Sequence, residues 1–149
     1  MSAALTLATS DHMDKLLPLV TSFHEEAGID QTLEQRLAAL QPLLDGIPHG
    51  SAYLIGPPRA PIGYIVVTFG WSVEFGGLDG FIDEIFVRRG VRGRGIASEV
   101  LIALPRALAN AGLRALHLEV ETENHSARKL YAKSGFQLRD GYHLMTRRF

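Results

Sequence analysis

Leu5-Thr6-Leu7 alternates apolar and polar positions as a short strand does, and Thr9-Ser10-Asp11 then offers N-cap chemistry for a helix reaching Ala27. Leu16, Leu17, Leu19, Val20 and Phe23 give that helix an apolar face, and Gly28 can close it. Pro18 is expected to kink it or to delay its start. Thr32 and Gln35 have capping-box spacing, and Leu33, Leu37, Leu40 and Leu44 mark a second amphipathic helix that Pro42 should end or bend. From Ser51 the period changes. Residues 51–56 and 62–69, rich in Tyr, Ile and Val, read as strands joined through Pro57-Pro58-Arg59-Ala60-Pro61. The aromatic, glycine-bearing stretch 71–77 suits a hairpin tip or a binding loop. Residues 81–87 are apolar on both faces, which places that strand inside a sheet. Val100, Leu101, Leu104 and Leu108 form one stripe of a helix over 96–111 that Gly112 can end. A strand at 116–120, a helix at 126–134 stopped by Gly135, and closing strands at 136–139 and 142–148 complete the pattern. The order β-α-α-β-β-β-α-β-α-β-β predicts a mixed α/β domain with at least one helical crossover.

The length, 149 residues, fits a single domain over 1–149, and a globule of this size removes roughly 68–70% of its unfolded surface from water. At 46% hydrophobic and 21% charged residues, the balance is globular rather than disordered. The absence of cysteine excludes a disulfide framework, a thiolate metal cage and a cysteine nucleophile. With 15 basic against 16 acidic residues and a net charge of −1, no nucleic-acid partner is expected. The N-terminal stretch lacks the basic region of a secretory signal, and no window approaches roughly 18 consecutive apolar residues. A cytoplasmic protein without a membrane partner is the expectation.

Chemistry concentrates between the buried strand and the helix that follows it, in Arg88-Arg89-Gly90-Val91-Arg92-Gly93-Arg94-Gly95-Ile96-Ala97-Ser98. Glycines let a ligand approach backbone closely, a helix N-terminus presents unpaired N–H groups, and the arginines add charge, so this segment suits a phosphate or pyrophosphate. Gly90 and Gly95 have P-loop spacing, but Ile96-Ala97 stands where Lys and Ser/Thr are needed. A dinucleotide fingerprint starting at Gly93 would need glycine where Ser98 stands, and a turn directly off its strand. Neither motif applies. The pattern Arg-x-x-Gly-x-Gly/Ala fits Arg92 to Ala97, and here the sequence resembles the GNAT superfamily of acyl-coenzyme A-dependent N-acetyltransferases. A second segment is similar to the GNAT pattern N-x-x-A-x-x-x-Y-x-x-x-G-F, matched without a gap from Asn124 to Phe136.

That resemblance implies a central, mostly antiparallel twisted sheet of six to seven strands flanked by about four helices. It implies acetyl-coenzyme A as donor and no metal. The loop from Arg92 through Gly93, Arg94, Gly95, Ile96 and Ala97 to Ser98 would hold the pyrophosphate, and the backbone of Ile85, Phe86 and Val87 would pair with the pantetheine arm. Asn124 would cap its helix and touch that arm, Ala127 would let it pass, and Tyr131 would protonate the departing thiolate. A Tyr that only packs beneath its helix is the alternative.

An incoming amine must lose a proton before it attacks, which calls for a carboxylate or an ordered water. Asp83 and Glu84 stand on the strand leading into the loop, where ionised groups are costly unless partnered, and alternation points them to opposite faces. Either could be the base, and a salt bridge is the competing role. Trp71, Glu74 and Phe75 would meet a cationic acceptor if the family layout holds; a dimer contact or simple packing explains the same residues. The six histidines make no metal set, because Gly28 stands where His24-Glu25-Glu26 would need its second His. The leading expectation is an N-acetyltransferase acting on a small cationic primary amine through a ternary complex, as a homodimer. The alternatives are a non-catalytic coenzyme A-binding module and an enzyme acting on protein lysines or N-termini.

Overall fold

The computed structural model describes residues 3–149 and divides into two compact units, one up to Glu119 and one of Val120–Phe149. The first unit is built as β1 (Leu5–Leu7), α1 (Met13–Ala27), α2 (Leu33–Asp45), β2 (Gly50–Ile55), β3 (Gly63–Ser72), β4 (Gly77–Val87), α3 (Ile96–Asn110) and β5 (Ala115–Leu118). The second contains α4 (His125–Lys133). The sheet order is β1-β2-β3-β4-β5, antiparallel throughout except that β5, reached through the α3 crossover, runs parallel to β4. β4 is therefore interior, as its two apolar faces require.

Local signals set the helix limits. α2 starts at Thr32, whose hydroxyl accepts from Gln35 N at 3.1 Å while Gln35 Oε1 accepts from Thr32 N at 2.9 Å. Gly28 and Gly46 close α1 and α2 in the left-handed region, where a side chain would be strained. α1 runs through Pro18 from a start at Met13, so the expected late start does not occur. The bond lost at the proline is offset by burial of Leu16, Leu19 and Val20, each contributing roughly 1.5–3 kcal/mol. Pro42 likewise lies inside α2, which ends at Asp45.

One face of the sheet packs Ala52, Leu54, Tyr64, Val66 and Phe86 with Leu16, Leu19, Val20, Leu40 and Leu44 from the first two helices. α3 buries Ile96, Val100, Leu101 and Leu104. On β4 the register with β3 slips: Val66 opposes Glu84 and Val67 opposes Ile82, leaving Asp83 as an inserted residue, a β-bulge. Val66 lies in the α1–α2 core and Val67, next along the strand, faces away from it. Across the bulge, Ile82 and Glu84 consequently face opposite sides, which plain alternation would forbid.

Among the described residues the sheet has five strands rather than six to seven. The expected strands at 136–139 and 142–148 are not formed. Alternation is the pattern of a half-buried strand, yet Leu138, Tyr142, Leu144, Met145 and Phe149 are all exposed. No ladder is formed by this stretch, and it makes ring contacts locally, Arg139 lying over Tyr142 and Arg147 over Phe149. No helix among the described residues is long and apolar enough to cross a membrane.

Candidate active site

The loop after β4 takes one 3-10 turn at Arg89–Val91, then passes Gly93 and Gly95 at φ of 78° and 76° and enters α3. Those two positions use glycine because an L side chain is strained at such angles. The first intrahelical bond of α3 is Glu99 N to Gly95 O at 3.0 Å, so the N–H groups of Ile96, Ala97 and Ser98 precede the ladder, at the positive end of the helix dipole. No side chain caps this helix start. The arrangement can take an anion.

Arg92 is committed elsewhere. Its guanidinium makes two bonds of 2.7 and 2.8 Å to Glu26 of α1, donates from Nε to Val87 O at 2.8 Å, and lies over the Phe86 ring. Its partner guanidinium holds the Glu26 carboxyl below the usual carboxylate range. Arg92 thus ties the loop to α1 and to the end of β4, while Arg94 is exposed. Beside them is an open cleft of about 950 Å³, between α1 and the loops around Ala60 and Gly90, with Lys15, Arg59, Arg88 and Arg89 on its walls.

The parallel β4–β5 ladder stops at Ile82 and Leu118, whereas β4 continues through Asp83–Val87, still paired with β3. Along that stretch the β5 side of β4 offers an edge of backbone groups to an extended ligand. The expected pantetheine-binding residues Ile85, Phe86 and Val87 lie on this edge, and the glycine turn into α3 follows directly.

Asp83, at the bulge, reaches the surface, yet surrounding protein keeps water from part of its carboxyl. That desolvation, followed by the charges of Glu84 and Glu119, raises Asp83 above the ordinary carboxylate range. Glu84 is bound on both oxygens: His24 Nε2 lies 2.7 Å from Oε2, and Tyr64 Oη donates to Oε1 at 2.7 Å. Burial, then Glu84, push the Tyr64 phenol far above its usual range. Arg36 of α2 donates from Nε to His24 Nδ1 at 3.1 Å.

His24, Arg36 and Tyr64 are the residues that sequence reasoning missed. A signal for two of them was present. His24 continues the i+4 row of Leu16 and Val20, and Arg36 begins the row of Leu40 and Leu44, so each is a polar residue on a core stripe.

In the second unit Asn124 caps α4, accepting from Ala127 N at 3.2 Å, as expected for that position. The Tyr131 ring meets Phe136 edge-on at 6.2 Å, and burial raises its phenol above the usual range. Trp71, Glu74 and Phe75 sit at the β3–β4 turn, with Trp71 75% exposed and Phe75 against His117. Trp71 pairs with Leu78, which lies six residues before Glu84, roughly 20 Å at ~3.3 Å per residue. The structure does not bring these three together with Asp83 and Glu84.

Residues 15–136, more than half of the chain, match the family model described as acetyltransferase (GNAT) family. The chain belongs to the GNAT acetyltransferase family. An uncharacterized N-acetyltransferase of Bacillus subtilis (strain 168), YycN, is 40% identical over 62 residues, a match spanning 42% of this GNAT chain and 40% of the relative. An integron cassette protein from the mobile metagenome of Cole Harbour Salt Marsh superposes with a TM-score of 0.82 at 30% identity, covering 97% of this chain and 89% of that one. AAC(6')-Iy, solved with the bisubstrate analogue CoA-S-monomethyl-acetylneamine, shares the fold at a TM-score of 0.79 and 19% identity, with 98% of each chain covered.

Proposed function

We propose that this GNAT protein transfers an acetyl group from acetyl-coenzyme A to a primary amine, a small cationic one, by direct attack within a ternary complex. The observation that carries this reading is the open β4 edge at Asp83–Val87, with an acid at its bulge and unpaired helix N–H groups at its other end. The edge suits an extended amide-bearing arm, and the turn with its arginines suits phosphates.

The coenzyme supplies an acetyl thioester; the chain's own groups handle protons and charge. Asp83 takes the proton of the ammonium ion, freeing the nitrogen lone pair to attack the carbonyl carbon. Glu84 is the less suitable base, because both of its oxygens already accept bonds. Backbone N–H groups near Phe86 draw negative charge onto the thioester oxygen. As the new C–N bond forms and the C–S bond breaks, Tyr131 gives its phenolic proton to the sulfur. The second proton, shed by the nitrogen as it becomes an amide, restores the phenol through solvent. Asp83, Glu84 and Glu119 concentrate negative charge at the bulge, which favours a cationic acceptor. The analogue held by AAC(6')-Iy joins coenzyme and acceptor in one ligand, in keeping with a ternary complex.

The test begins with calorimetry of acetyl-coenzyme A binding, followed by a screen of amines for thiol release. With an accepted amine, Tyr131→Phe is expected to lower kcat at least tenfold while coenzyme affinity changes less than twofold. An unchanged kcat removes Tyr131 from the acid role, and binding without thiol release from any amine leaves a non-catalytic coenzyme-binding module.

A further inference from the structure

Between α1, α2 and the sheet runs a buried polar chain where leucines would have packed. Arg36 is 8% exposed and His24 only 5%. Arg36 bonds the Gln31 carbonyl from Nη2 at 2.9 Å and His24 Nδ1 from Nε. Arginine has donors only, so Nδ1 presents its lone pair and the neutral ring carries its proton on Nε2, aimed at Glu84 Oε2. An imidazolium would set an Nδ1–H against the Arg36 Nε–H. A protonated Glu84 turned toward His24 would meet a second donor. Tyr64 closes the other carboxylate oxygen. Each bond fixes the direction of the next, and the only arrangement that satisfies all of them has Glu84 as an anion.

Burying such a chain is expensive, and an apolar replacement of similar volume often serves stability as well or better. Its position explains its presence: it ends at the residue next to the bulge. We propose that Arg36, His24 and Tyr64 are positioning residues that hold Glu84 as a fixed anion beside Asp83, so that the proton leaving the amine goes to Asp83 and not to Glu84. This rests on Asp83 being the base. The groups facing Glu84 are His24 from α1 with Arg36 of α2 behind it, Tyr64 from β3, and Asp83 on its own strand. Those acting on Asp83 are the negative charges of Glu84 and of Glu119 after β5, the neutral His24 ring adding no charge of its own. A neighbour that keeps its negative charge raises the proton affinity of Asp83, bringing a carboxylate closer to the range in which a base works well.

Two measurements on the full chain test this without any acceptor. Imidazole 15N spectra at pH 8 should show His24 with a bare Nδ1 and a protonated Nε2, and Arg36→Met should yield a tautomer mixture. An Nδ1–H tautomer or an imidazolium in the wild type overturns the proposal. Carboxyl 13C titration should show the Asp83 midpoint moving to lower pH in Glu84→Gln, the anion being gone. An unmoved midpoint would make the chain merely structural and also overturn the proposal. Should Arg36→Met not fold, the wild-type spectrum and Glu84→Gln still decide. Neither readout depends on turnover, so a protein that acetylates nothing while showing the expected tautomer and shift loses the enzymatic reading alone.

Discussion

Asp83 and Glu84 are adjacent carboxylates in opposite circumstances, and the difference has a consequence for stability. The native state raises Asp83 above its unfolded value, so between the unfolded pKa, about 3.9, and the higher folded one the native chain holds more protons. Stability therefore falls as pH rises through that window. Asn cannot ionise, and Asp83→Asn is expected to have a higher Tm than the wild type at pH 8, a gain that closes below about pH 4. The same variant should lose roughly 10²-fold or more in kcat, the usual contribution of a general base. Thermal melts across pH and one activity assay check both halves. A Tm that falls at pH 8 would show that Asp83 is a structural ion-pair member instead. Glu84 is held by hydrogen bonds, from His24 at one oxygen and from Tyr64 at the other, where a salt bridge was the competing role foreseen.

For the elements, the site depends on how β3, β4 and the following turn are held. Gly63 opposes Val87, and a Cβ there would lie 2.2 Å from Phe86 O and 3.1 Å from Val87 Cα. Gly63→Ala must spread the ladder beside the open β4 edge, at a cost of roughly 1–3 kcal/mol or more. A denaturation midpoint equal to wild type would refute that. The loop arginines separate by role. Arg92→Ala strips the loop of its bonds to Glu26 and Val87 O, so it should lower Tm as well as affinity for acetyl-coenzyme A. Arg94→Ala should leave Tm in place and weaken binding through lost charge, with a shallower dependence on salt. Calorimetry and melting curves for the pair distinguish these outcomes. Most of this element order was legible in the chain, because caps, apolar stripes and terminal glycines act over a few residues, as at Thr32–Gln35. The two closing strands were misread for a related reason: alternation reports a chain able to be a strand, and supplies no edge for it to pair with.

Across the whole molecule, a ligand that binds only the folded chain adds to its stability by mass action. Acetyl-coenzyme A at a hundred times its Kd should stabilise the protein by about 2.7 kcal/mol, read as a rise in Tm that continues with concentration. The absence of any shift would remove the coenzyme reading altogether. By itself the sequence determined the helices, the left-handed glycines of the turn before α3, the two family motifs and the presence of paired acids before that turn. Each is written within one turn, one strand or one short segment. Tertiary structure alone decided that β4 bulges at Asp83 and that β5 leaves it after Ile82. It also decided that His24 reaches Glu84 across 60 positions of chain and Arg92 reaches Glu26 across 66. Such pairings leave no local periodicity, since a buried polar partner becomes tolerable only when a distant segment folds against it and satisfies its bonds.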